Sequence, residues 1–203
     1  MKKFFAVLLA LAVCLFCFSA LCEESATPSQ PVAGEGEILM HGYISEAANY
    51  YVGVPATWAL LGASSHEEHI AQAEDILGYS EVKSIRQNLS SENDILFAFS
   101  ADGEQMVLNY GPSDGVTSDV LIKRMGELQS LLKTQYKGIT FKEDSGSYTL
   151  KEIISILYIG AEYNGNDIDQ YYMPVGESIY VFTFVNVEDV YRQAVLSTFH
   201  LDP

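Results

Sequence analysis

The chain has 203 residues and is strongly acidic, with 27 Asp and Glu against 11 Lys and Arg and a formal net charge of −16. Such a field repels nucleic-acid phosphates and anionic membrane surfaces, so neither is expected as a partner. The three cysteines, Cys14, Cys17 and Cys22, all lie near the N-terminus, which leaves the remaining chain without a pair for an internal disulfide.

The first segment, MKKFFAVLLALAVCLFCFSALCEES, places Lys2 and Lys3 before an apolar run from Phe4 to Phe18 and small residues near its end. This is the order of a secretory signal peptide, expected over residues 1–22. A retained anchor would want a longer apolar run with basic residues after it, whereas Glu23 and Glu24 follow. No membrane insertion is expected after cleavage. The stretch SALC also admits a lipoprotein reading, with Cys22 lipidated, but the bulk of Leu21 works against that processing and a free secreted form is preferred. Residues 23–38 begin EESATPSQPVAGEG, too small and polar to build a core, and read as a flexible tether. Residues 39–203 are expected to form a single domain.

Two strand-like runs open that domain in EILMHGYISEAANYYVGVPATWAL, where Pro55 limits ladder bonding and Trp58 can fold back as an apolar plug. SSHEEHIAQAEDILG predicts a helix, with Ser65 and Glu68 spaced as a capping box, Ile70, Ala73, Ile76 and Leu77 at helical spacing, and Gly78 as the stop. EVKSIRQNL is read as a candidate strand. In DILFAFSADGEQMVLNY, two apolar runs flank Asp102-Gly103, a hairpin signal. SDVLIKRMGELQSLLKTQ predicts the best helix, capped by Ser118 and striped by Leu121, Met125, Leu128 and Leu132. Strands follow around EDSGS, Ile179–Phe184 has the apolar length of a central strand, and Asn186 is placed to cap a C-terminal helix. The order predicts an α+β fold, an antiparallel β-sheet covered mainly by a mid-chain helix and a C-terminal helix.

The strand entering VPATW, the hairpin DILFAFSADGEQMVLNY, the helix after it and the closing QYYMPVGESIYVFTFVNVEDVYRQAVLSTFHL resemble small secreted or lipid-anchored bacterial proteins of the Mog1/PsbP-like fold. The resemblance spans about residues 39–201. It implies that Trp58 packs at a sheet edge against a helix and that the last strand and helix complete the sheet and its cover. Members of this fold serve as accessory proteins of photosystem II or as a partner of the GTPase Ran, so the resemblance implies binding and names no binding residue here.

Candidate chemistry is sparse. His66 and His69 share a helix face beside Glu67 and Glu68, but HEEH is not the zincin HExxH and the sequence shows no further ligand, so an exposed helix start is expected and no metal. NGNDIDQ, residues 164–170, gathers oxygen donors of the kind calcium takes but lacks the spacing and terminal Glu of a calcium loop; a turn before Tyr171 is expected. No G-x-S-x-G elbow occurs, and GASS and GPSDG are not phosphate loops, so neither a catalytic residue nor a cofactor is assigned. The thirteen tyrosines are the stronger signal. Tyr163, Asn166, Asp167, Asp169, Tyr171 and Tyr172 are the expected binding surface, a shallow patch of exposed tyrosines for a protein, peptide or glycan. The reading is a noncatalytic extracytoplasmic binding or accessory domain. Its competitors are a secreted hydrolase using scattered carboxylates, which requires a concave pocket, and a structural envelope protein assembled through edge strands.

Overall fold

The computed structural model describes residues 38–89, 95–151 and 154–201. The expected signal peptide with Cys22, and all but the last residue of the expected tether, lie outside the described residues. In chain order the first half contains β1 (Met40–Ser45), β2 (Tyr50–Pro55), β3 (Ala59–Leu61), α1 (Glu67–Leu77), α2 (Tyr79–Asn88), β4 (Leu96–Phe99) and β5 (Gln105–Pro112). Then come α3 (Ser118–Lys123), α4 (Met125–Gln135), β6 (Thr140–Phe141), β7 (Gly146–Leu150) and β8 (Ile154–Tyr163). The chain closes with β9 (Asn166–Val175), β10 (Ser178–Val185), α5 (Asp189–Thr198) and β11 (His200–Leu201). The fold is α+β with antiparallel strand pairs, as the sequence order predicts. Two compact units are distinguished, residues 106–186 and residues 38–105 with 187–201.

In the unit built from 38–105 and 187–201, β1, β2 and β11 form a three-stranded sheet and β3 pairs with β4. Helix α5 packs on β2. Thr198 fixes that contact, its Oγ1 accepting the Gly53 N–H at 2.7 Å. Trp58 is 1% exposed and its ring lies 6.2 Å from Tyr191 of α5. The lone Trp after the Pro-containing turn is therefore a packing residue, whose burial removes a large apolar area from water. The hairpin before β5 turns at Gly103, φ 89°, while Ser100 Oγ accepts the N–H groups of Asp102 and Glu104.

Two local expectations are corrected here. EVKSIRQNL belongs to helix α2: Val82 is fully buried, and Ile85 three residues on shares its face, a helical rather than alternating period. Helix α1 begins one residue later than a Ser65 cap would set. His66 occupies the cap position without a side-chain cap bond, because Ser65 Oγ is turned back to accept the Gly62 N–H at 2.7 Å. Gly78, φ 85°, does end α1.

In the unit 106–186 the strand order is β5-β10-β9-β8-β6, with β7 also paired to β8. Strand β10 is central and seven of its eight residues are buried, so the long apolar run Ile179–Phe184 meets its expectation. The predicted mid-chain helix is interrupted at Arg124, φ −104°, ψ 12°, giving α3 and α4, with Ser118 as first helical residue instead of cap. Its stripe is still the buried one: Leu121, Leu128 and Leu132 pack with Tyr136, Leu157, Ile159, Ile168, Tyr172 and Val181. Each such leucine contributes about 1.5–3 kcal/mol of transfer free energy.

Candidate binding site at the β8–β9 hairpin

Asn164 and Gly165 both adopt positive φ, 52° and 80°, so two residues suffice to reverse the chain between β8 and β9. NGNDIDQ is thus a turn running into a strand, as expected. The register pairs Tyr163 with Asn166, Glu162 with Asp167, Gly160 with Asp169 and Tyr158 with Tyr171. Side chains alternate between faces. Ile168, Gln170 and Tyr172 therefore point to the face covered by α3 and α4, and Asp167, Asp169 and Tyr171 to the other.

Asp169 is 2% exposed. Its Oδ1 accepts the Tyr158 hydroxyl at 2.5 Å and Lys142 Nζ at 3.1 Å. Lys142, arriving just after β6, also holds Asp167 at 2.5 Å. Burial pulls the Lys142 ammonium down, but its two carboxylate partners together outweigh burial and hold it above the usual lysine value. Burial, followed by the bond to Asp169, pushes the Tyr158 phenol far above the ordinary tyrosine range. The two acids that resembled calcium ligands therefore grip an ammonium of the chain itself. Ser145 closes the corner, its Oγ accepting the Gly160 N–H at 3.1 Å.

Of the expected surface, Tyr163, Asn166 and Asp167 lie at the turn end of the hairpin, each partly exposed. Tyr163 leans edge-on toward Tyr136, ring centroids 5.5 Å apart. Tyr171 and Tyr172 are 3% and 1% exposed, so no exposed patch includes them. β9 has strands on both sides and both of its faces are filled. Tyr171 packs edge-on to Tyr148 and Phe184, whereas the Tyr172 hydroxyl donates to Gln170 Oε1 at 2.8 Å and Gln170 Nε2 donates to Thr183 Oγ1 at 3.1 Å. Burial, and next the neighbouring Tyr136, drives the Tyr172 phenol upward.

Asn186 does not cap α5; Glu188 occupies that position. Asn186 instead sits at φ 55°, accepts the Asp167 N–H at 2.9 Å and donates to Asn166 Oδ1 at 2.8 Å. Sequence reasoning missed Lys142, Tyr158 and Asn186 as parts of this site. The period-two spacing of Tyr158 and Gly160 opposite NDIDQYY was the available signal. Nothing in FKEDSGS indicated that its lysine reaches back to β9.

No family model matches the sequence, and no curated protein matches it. Among solved structures, cyanobacterial PsbP (CyanoP) from Synechocystis aligns over 86% of this chain and 99% of its own, with 11% identity and a TM-score of 0.47. A Bacteroides thetaiotaomicron protein aligns over 79% of this chain but 47% of its own, with 10% identity and a TM-score of 0.41. LpqN, involved in cell envelope biogenesis of Mycobacterium tuberculosis, aligns over 83% of this chain and 94% of its own, with 13% identity and a TM-score of 0.37. Among the described residues, no helix is long and apolar enough to cross a membrane.

Proposed function

We propose that the chain is a noncatalytic extracytoplasmic binding or accessory domain that receives a basic peptide or protein segment at the turn end of the β8–β9 hairpin. The signal-like residues 1–22 support export. The observation that carries the binding reading is the charge layout around Lys142. Glu143, Asp144 and Glu162 are exposed and Asp167 is partly exposed, while the neighbouring Lys142 is committed to Asp167 and Asp169. A cationic partner meets an acidic rim whose own counter-charge is used inward. The Asn166–Asn186 bond and the Asn186 bond to the Asp167 N–H hold that rim in place before any partner arrives, which lowers the cost of ordering it. Hydrolysis by the Asp167 and Asp169 pair is disfavoured, because Lys142 fills the space between them that a scissile bond requires.

The test is thermal unfolding of the purified protein with EDTA present, scanned against cationic peptides and cell-wall sugars, since a ligand that prefers the folded state raises its apparent stability. A saturable shift with cationic peptides, weakened by salt and by Asp167→Asn with Glu162→Gln, is expected. A shift with sugars alone, or one indifferent to that double variant, sinks the proposal.

A further inference from the structure

HEEH gives His66 and His69 three residues apart on one helix face, and the fold supplies the partner that the sequence withheld. His41 of β1 stands against His69, ring centroids 5.2 Å apart and planes tilted by 57°. His66 is 5.9 Å from His69 at 50°. Two imidazoles bound to one tetrahedral zinc at ordinary Zn–N distances hold their centroids about 5 Å apart, so the first pair already has the spacing of shared ligands. His41 Nε2 and His69 Nδ1 are both buried without a hydrogen-bond partner. Two orphaned nitrogens on adjacent rings carry a desolvation cost that an ion between them would relieve. The third ring is free to join, because His66, exposed at the start of α1, makes no side-chain cap bond.

We propose that His41 and His69, completed by His66, bind a divalent transition-metal ion of the class imidazole favours, represented by Zn²⁺. The rings are not converged in advance: among the described residues no group of three or more His, Cys, Asp or Glu side chains stands in a metal-holding arrangement. Binding therefore turns the His66 ring toward the other two. The ion would tie β1 to the start of α1, so the site binds and braces without a chemical step.

Isothermal titration of the purified protein with Zn²⁺ at neutral pH is expected to show one saturable equivalent. His41→Gln and His69→Gln should each weaken it at least tenfold and His66→Gln less, while His200→Gln, which alters the remaining histidine, should leave it unchanged. Imidazole NMR on the unmutated protein reads the same point without relying on variants that fold. The signals of His41, His66 and His69 should move with Zn²⁺ and that of His200 should not. No saturable uptake, uptake that survives His69→Gln, or movement confined to His66 and His200 overturns the proposal.

Discussion

Asp169 and Gln170 are consecutive in β9, equally buried at 2% exposure, and solve the same problem in opposite ways. Gln170 enters the face under α3 and α4, where its amide joins Thr183 and Tyr172 in a neutral chain closed off from water. Asp169 enters the other face as a potential charge and is matched by a phenol and by an ammonium that is itself 28% exposed. A neutral network can be sealed once each donor has its acceptor. A buried carboxylate needs a counter-charge, and here that counter-charge leads outward through Lys142 and Asp167 to the rim. Polar burial on one face is structural, whereas on the other it is coupled to the surface that a partner would meet.

That contrast predicts unequal responses to deletion. The largest effect should come from Lys142→Met, which takes the Lys142 ammonium away from the buried Asp169 and keeps the Tyr158 bond. A loss of about 3 kcal/mol in urea unfolding is expected, toward the lower end for a broken buried pair because water can follow the partly exposed lysine. Tyr172→Phe, which strands one acceptor of a neutral trio, should cost about 1–2 kcal/mol; a cost equal to that of Lys142→Met would erase the distinction between the faces. Alkaline titration sharpens it further. Tyr158 is held above its ordinary 10.0 and Lys142 above its ordinary 10.5, so the unfolded chain releases these protons first as pH rises. The stability they contribute is whole below about pH 10 and is lost above it, and Tyr158→Phe should flatten that decline. Unchanged alkaline unfolding in Tyr158→Phe would show that the hydroxyl is not held protonated.

The smallest effect belongs to Glu104, which lies outside both networks. Burial raises its carboxyl above the ordinary 4.5, against the opposing bonds from Ser100 and the Glu188 backbone. Its contribution is present below pH 4.5 and lost as pH rises through the folded value. Glu104→Gln should therefore gain stability at neutral pH, within about 0.5 kcal/mol, and the gain should vanish in denaturation curves taken near pH 4.

The scaffold was legible where one signal dominated its window. The leucine stripe of the mid-chain helix, the apolar run of β10, the stop at Gly78 and the turn at Gly103 all follow from local period or backbone freedom. Caps were less legible. Ser65 and Asn186 have the right chemistry for helix starts, but each found a nearer or stronger partner in the fold, Gly62 for one and the β9 entrance for the other. The site was legible only in its β9 half. NDIDQYY stood out through its composition, yet alternation sends Tyr172 and Asp169 to opposite faces, and the sequence separations of 27 residues to Lys142 and 11 to Tyr158 carry no periodic trace. The missing histidine had the same cause: His41 lies on a strand whose approach to α1 is decided by tertiary packing.

Gly160 faces Asp169 across the hairpin, and a Cβ there would come within 2.5 Å of the Tyr158 hydroxyl and 2.7 Å of Lys142 Cδ. A single methyl group would thus push aside the two side chains that reach the carboxylate, although the backbone of β8 could accept it. Inheritance follows from that crowding. Lys142, Tyr158, Gly160 and Asp169 can be exchanged safely only together, so in diverging descendants they should be kept or abandoned as a set.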